Sequence, residues 1–535
     1  MRDSTSDLVR KLIFKPLNAV SVSLVACVIF MSGPAAAEDY DLVILNGRVM
    51  DPQSGLDAVR NVGVKDGKIA KITKKHIKGR NSIDATGHVV APGFIDGHAH
   101  TTDIPLGQKA LLRDGVTTAM ELEGGALPVD RWYADLEGKS QLNYGASVGS
   151  AAARTAVFDP TYKDSKSADI IYDMFSGAQK VTLDTYSRVP TDEQVEEILA
   201  LVEEGLKQGG LGVGIVPGYI VEGYTSAEAI GVQKLAGKYG RFSHVHTRFS
   251  SQEPPTTGIL AFQEFIASAG AYGGGLIIAH FSAQALSLTE MAVEYVDDLR
   301  ATGAPIILEI YPYNYGASGN GVGADYLKPD NYQKNMGRTY SDIINTATGE
   351  RLTKETYEAL VKSNPFAPVL FYNAKEEDME KGLASPNVLI GCDCFYFTDK
   401  DGKFVSDWDT PFESVNVHPR SVGAHGKVLR LSREKNLMPL MTAISKMSFL
   451  YADFLANNGV PQMAHKGRIQ EGADADITIF DPATVRDNSS LDKGKNALPT
   501  TGIPYVIVNG TIVVKDSKVQ KGVYAGKPVR LPVQH

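Results

Sequence analysis

Between Pro92 and about Met463 the chain repeats one unit, a short strand-like apolar run followed by a helix-like segment. The clearest pairs are GLGVGIVPG with a helix from Ser226 to Tyr239, and RFSHVHTR with a helix from Gly258 to Ala269. GLIIAHFSA precedes a helix over Leu288 to Thr302, PIILEIYPY follows, and NVLIGCDC is the last such run. Strands that alternate with helices imply a parallel sheet with right-handed crossovers. Repeated over about 370 residues, the unit suits an α/β fold of the (β/α)8 TIM-barrel kind. An open doubly wound sheet is the alternative, but no GxGxxG follows the first strand.

The two ends of the chain have a different texture. From Tyr40 to Asp84, β-rich runs (DLVILNGRVMD, VGVKDGKIAKI, SIDATGHVV) alternate with turns at Gly47, Gly67 and Gly87. ADITIFDPATV and PYVIVNGTIVVKDSKV repeat that pattern near the C-terminus. The two ends are expected to pair into one small β-sandwich with the barrel inserted between them. The expected division is therefore 1–37 as a leader, 38–91 as the first part of the sandwich, 92–463 as the barrel and 464–535 as the rest of the sandwich.

The leader reads as a secretory signal peptide. Arg2, Arg10, Lys11 and Lys15 precede an apolar stretch from Val20 to Met31, and Ala35-Ala36-Ala37 gives a small-residue exit. About a dozen apolar residues is too short to span a bilayer. Leu24-Val25-Ala26-Cys27 also resembles a lipoprotein box, but the apolar run continues past Cys27, so cleavage near Ala37 and a periplasmic location are the expectation. Only Cys392 and Cys394 follow the leader. On a strand they would point to the same face, too far apart along the chain for an easy bridge, so no disulfide framework is expected. A net charge of −8 offers no basic field for nucleic acid.

The chemistry is concentrated at strand ends. Ala91-Pro92-Gly93-Phe94-Ile95-Asp96-Gly97-His98-Ala99-His100 is an apolar strand ending in His-x-His. Alternation turns both imidazoles to one side, at the end of the strand where barrels keep their active sites. Two converging imidazoles make half of a metal site. His244 and His246 end one later strand, His280 ends the next, and Asp393 ends the last. Glu121 and Glu123, in AMELEGG, fall on one face by the same alternation, and Glu123 lies nearer the rim.

APGFIDGHAH resembles the first-strand signature of the amidohydrolase superfamily, and GRIQEGADAD resembles the segment with which its members re-enter their β-sandwich. LLRDGVTTAMELEGG, the HxR of the fifth strand, YPY, and HPR before a glycine are most similar to the N-acyl-D-amino-acid deacylases, particularly those acting on D-glutamate. The similarity runs from about Leu42 to Lys527. It implies a ligand set of His98, His100, His246, His280 and Asp393, with His246 chosen over His244 because it lies two before Arg248. It implies one or two divalent metals, most often zinc, with Glu123 (Glu121 the alternative) in place of the carboxylated lysine that the fourth strand lacks. Asp393 would carry the proton, Arg420 of His418-Pro419-Arg420 would grip the substrate carboxylate, and Tyr313 would stand near the oxyanion. Two departures bear on substrate: His280-Phe281-Ser282 stands where many deacylases have His-His-Lys, and GCDC where relatives usually have SDG. The implied activity is metal-dependent hydrolysis of a linear amide in a small N-acyl amino acid. A dipeptidase or cyclic-amide hydrolase of the same superfamily is the first alternative, and a non-catalytic binding relative the remote one.

Overall fold

Eight parallel strands form the centre of the chain, in a computed structural model that describes residues 40–535 apart from 160–161, 163–186, 221, 319–320, 366, 493 and 535. The leader expected over 1–37 lies outside the described residues. In chain order the barrel strands are Phe94–Asp96, Val116–Ala126, Asn143–Gly149, Gly212–Ile215, Phe242–Val245, Leu276–Ile278, Ile306–Ile310 and Val388–Ile390. Each pairs with the next in parallel. Beyond the ends of the first and last strands, Ala99 and Cys394 form a parallel bridge that brings the two edges together.

The crossover helices fall where the sequence pattern puts them, at Ser226–Lys238, Gly258–Tyr272 and Thr289–Ala301. Thr225 and Thr257 begin the first two, each accepting a bond from a backbone N–H three residues on, which satisfies one of the donors a helix start leaves unpaired. Alternation then sorts the strand residues into two cores. In the seventh strand Ile306, Leu308 and Ile310 join the large core between barrel and helices. Ile307 joins Ile95, Met120, Leu122, Leu211, Phe242, Ile277 and Leu389 in a smaller core, with Tyr451 and Leu455 of the helix Phe449–Asn457 packed among them. This apolar plug fills one end of the barrel and leaves the other to polar groups.

The two chain ends build one mixed sheet of nine strands with its own core. Val89–Pro92 is its seam: it runs parallel to Tyr40–Asp51 on one side and antiparallel to Ile477–Phe480 on the other. One feature was not read from the sequence. After the seventh barrel strand the chain builds a four-stranded antiparallel sheet from Tyr315–Ala317, Ile343–Asn345, Glu350–Arg351 and Val369–Tyr372. It packs on a separate core that includes Val322, Leu327, Tyr332 and Val369.

Candidate metal centre

His98, His100, Glu123, His246, His280 and Asp393 converge at the polar end of the barrel, and Glu123 stands at their middle. Its Oε1 lies 3.0 Å from His246 Nδ1 and 3.4 Å from His280 Nε2. Its Oε2 lies 3.5 Å from His98 Nε2 and 3.6 Å from His100 Nε2. Asp393 Oδ1 is 3.5 Å from each of those same two nitrogens. Two ligand atoms each about 2.1 Å from one tetrahedral ion sit about 3.4 Å apart, so the separations of 3.4–3.6 Å suit ligands around a cation, whereas His246 is at hydrogen-bond distance from Glu123. His98 Nε2 and Glu123 Oε2 are buried with no hydrogen-bond partner, which a bound cation would supply. His98, His100 and Asp393 form one compact group of ligand atoms, and His98, Glu123 and His280 another. The donor set of imidazoles and carboxylates fits one or more divalent metal ions.

Carboxylates behind the histidines fix which nitrogen faces the centre. Glu309 Oε1 lies 2.7 Å from His98 Nδ1, and Glu121 lies 2.9 Å from His100 Nδ1. A proton held on each Nδ1 leaves the Nε2 lone pair free to ligate. Glu121 is itself held by the backbone N–H groups of Gly124 and Gly125. Glu121 and Glu123 reach the two nitrogens of one ring, Glu121 at His100 Nδ1 and Glu123 at His100 Nε2, beside a register shift in the ladder with the third strand. His244 sits behind the ligands, its Nε2 3.2 Å from Glu309 Oε2, whereas His246 faces Glu123.

Burial sets the electrostatics. It disfavours a charged His98, yet Glu309, Asp393 and Glu123 outweigh it and hold the imidazole pKa well above its usual range. His280, buried and close to His246, is pushed down to about 4, which keeps it a neutral ligand. Burial would raise Glu123 and Asp393, but neighbouring histidines hold Glu123 ionised, and Arg420 with His98 does the same for Asp393.

A cavity of about 750 Å³ opens onto this cluster. His246, His280, Asp393 and Arg420 line it on the barrel side, and Tyr326, Phe371 and Asn373 of the inserted sheet and its surroundings line the other. Arg420 opens the helix Arg420–Glu434; its Nη2 lies 2.8 Å from Asp393 Oδ2 and its Nε donates to the Asp393 carbonyl at 2.6 Å. Tyr313 lies away from the cavity. It follows the end of the seventh strand, so strand alternation does not govern it, and its ring packs under Lys427 Nζ at 3.8 Å. Tyr311 lines the cavity instead, with its hydroxyl bonded to Asn373 and its ring 4.6 Å from the Arg420 guanidinium.

Two further corrections concern what the sequence left unseen. Glu309 was missed, although a single carboxylate in the apolar run PIILEIY was a signal for it. Gly391 is what admits it, because a Cβ there would lie 2.7 Å from the Glu309 carboxyl carbon. The expectation of unbridged cysteines fails: Cys392 and Cys394 are joined by a disulfide. The strand ends at Ile390, and Asp393 at φ 47° bends the chain, so the two Cα atoms are 4.8 Å apart instead of about 6.6 Å in an extended strand.

No family model matches the chain. A D-aminoacylase from Alcaligenes xylosoxydans xylosoxydans is 24% identical over 543 residues, covering 92% of this chain and 98% of the relative. An N-acyl-D-glutamate deacylase from the same organism is 24% identical over 515 residues, covering 89% and 94%. Among solved structures, N-acyl-D-glutamate deacylase from Bordetella bronchiseptica, complexed with zinc and a phosphonate mimic of the tetrahedral intermediate, superposes with a TM-score of 0.71. It is 23% identical and covers 92% of this chain and 100% of that one.

Proposed function

We propose the function from one premise: this chain belongs to the amidohydrolase superfamily and, within it, to the D-aminoacylase and N-acyl-D-amino-acid deacylase family. It is a metal-dependent enzyme that hydrolyses an amide bond. Our reading of the substrate is an N-acyl-D-amino acid, cleaved to a carboxylate and a free amino acid. The observation that carries it is Asp393, which reaches both His98 and His100 with one oxygen, contacts Arg420 with the other, and lines the cavity.

In this reading His98, His100, Glu123, His246, His280 and Asp393 hold one or two divalent ions, zinc by preference. Such an ion lowers the pKa of water and polarises a carbonyl when bound. Asp393, kept ionised by its neighbours, accepts the proton of the attacking water and delivers it to the leaving nitrogen. Glu309 and Glu121 hold the imidazoles in one tautomer throughout. Arg420 has the fork geometry for a substrate carboxylate and lines the same cavity. Ser282 supplies no cation where many relatives have a lysine, so the recognition of acyl group and side chain is this chain's own. We also propose export to the periplasm, which the charged, apolar and small-residue order of the first 37 residues supports.

The test is a screen of the zinc-loaded enzyme against N-acetyl amino acids of both hands, dipeptides and cyclic amides, scoring released amine or ring opening. Turnover of N-acetyl-D-amino acids well above the other classes supports the reading. Preference for dipeptides or cyclic amides moves the chain to the neighbouring activities of the superfamily.

A further inference from the structure

Asp393 stands between two cysteines bonded to each other, so a disulfide closes a three-residue loop around it. A cross-link steadies a fold by restricting the unfolded chain, and the effect grows with the length of the loop closed. Three residues is close to the shortest loop possible, so this bond does little for the fold as a whole. What it does restrict is the backbone of the one residue inside it. That backbone lies at φ 47°, in the left-handed region that residues with a Cβ adopt rarely, Asp and Asn more readily than the rest.

The loop is also tied to the first barrel strand. Cys392 N donates to Asp96 Oδ2 at 2.8 Å, and Asp96 Oδ1 accepts from His98 N at 2.9 Å. Cys394 N donates to the His98 carbonyl at 3.2 Å. Asp393 is thereby referenced to the backbone of His98, whose imidazole its carboxylate must face. Both cysteines are about 1% exposed, so neither sulfur is offered to a substrate in the cavity. These are the marks of a staple that shapes its neighbour.

We propose that the Cys392–Cys394 disulfide positions Asp393 for proton transfer, and that full activity requires the bonded pair. The inference rests on the reading of Asp393 as proton carrier. Forming the bond takes two protons and two electrons from the thiols to the disulfide of an exchange partner, which leaves as a dithiol. A phosphine reverses it, taking the oxygen of one water to become a phosphine oxide and leaving two thiols.

The experiment compares full-length, zinc-loaded wild type, C392S/C394S and D393N for metal content, thermal midpoint, kcat and KM. Thiol labelling with mass analysis reports the state of the cysteines. Active wild type should carry no free thiol. C392S/C394S should keep its metal, a near wild-type midpoint and a KM within about twofold, while kcat falls about 10- to 100-fold, as expected when a catalytic group is misplaced. Wild type folded and purified in a phosphine should show the same kcat loss, and oxidised glutathione should restore it. Unchanged kcat in both the double variant and the reduced enzyme, with D393N inactive, overturns this inference alone. Two free thiols in fully active wild type do the same. An active D393N overturns the role of Asp393 itself.

Discussion

The two ends of the barrel are built from the same eight strands and could hardly differ more. At one end Phe242, Ile277, Ile307 and Leu389 interlock into an apolar plug around Tyr451, whose hydroxyl donates to Glu309. Two residues further along, the inward positions become His244, Glu309 and Gly391, and two beyond the first of these comes His246. The period of the strand is unbroken in the fifth and seventh strands; only the residue type changes. The plug gains its stability from area removed from water. The other end buries carboxylates and imidazoles that stay there because each has a polar partner or faces the candidate metal centre. One end is optimised for folding and the other stores the cost of function, and the Tyr451 hydroxyl on Glu309 is a contact between them.

That contrast can be broken most severely at the ligands. His98→Ala or His280→Ala should abolish metal binding and activity together, measured by metal analysis and amine release, while the apo protein stays folded. Asp393→Asn should keep the fold and most of the metal yet lower kcat by about 10²- to 10⁴-fold, the contribution of a positioned acid–base group. Near wild-type turnover would shift the role to another residue, with His244 the next to test. Glu309→Gln reaches the ligands from behind and should cost about 10- to 100-fold in metal affinity or activity. Arg420→Lys should lower kcat/KM by about 10- to 100-fold on substrates with a free α-carboxylate, since an ammonium cannot reproduce the paired geometry. The matching N-acyl amino-acid amides should be poor substrates for both enzymes and little changed; equal losses on acid and amide would make Arg420 a support for Asp393 only. At the plug, Phe242→Ala should cost about 3–5 kcal/mol in denaturant unfolding with kcat per folded molecule preserved. A loss of kcat there would show that the two ends are coupled.

The sequence made one of these ends easier to read than the other. Strand periodicity and the His-x-His motif put His98, His100, His246, His280 and Asp393 at strand ends; the structure gathers the four histidines around Glu123 and sets Asp393 against His98 and His100. Glu309 stood out as a single carboxylate in an apolar run, but its role depends on partners distant in sequence, His98, His244 and Tyr451. Glu123 was preferred over Glu121 because it lies nearer the rim, and it is Glu123 that faces His98, His246 and His280. Tyr313 was taken over Tyr311 on the resemblance alone, and both follow the strand's last residue, so alternation could not decide between them. The cysteines were misjudged for the same reason. The inserted sheet from Tyr315 to Tyr372 has strands of two to four residues, too short for periodicity to register.

The seam of the terminal sheet sets a clock on the chain's assembly. Val90 pairs on one side with Val49, made moments earlier, and on the other with Ile479, 389 positions later by the difference of their numbers. A ribosome adds about 5–20 residues each second, so roughly 20–80 s separate the birth of one edge from that of its partner. Throughout that interval the seam strand has an open edge, the feature that invites pairing with another chain. The last strands to be synthesised close the fold, and a chain stopped short of Ile477 would carry a complete set of ligands beside an unsealed sheet.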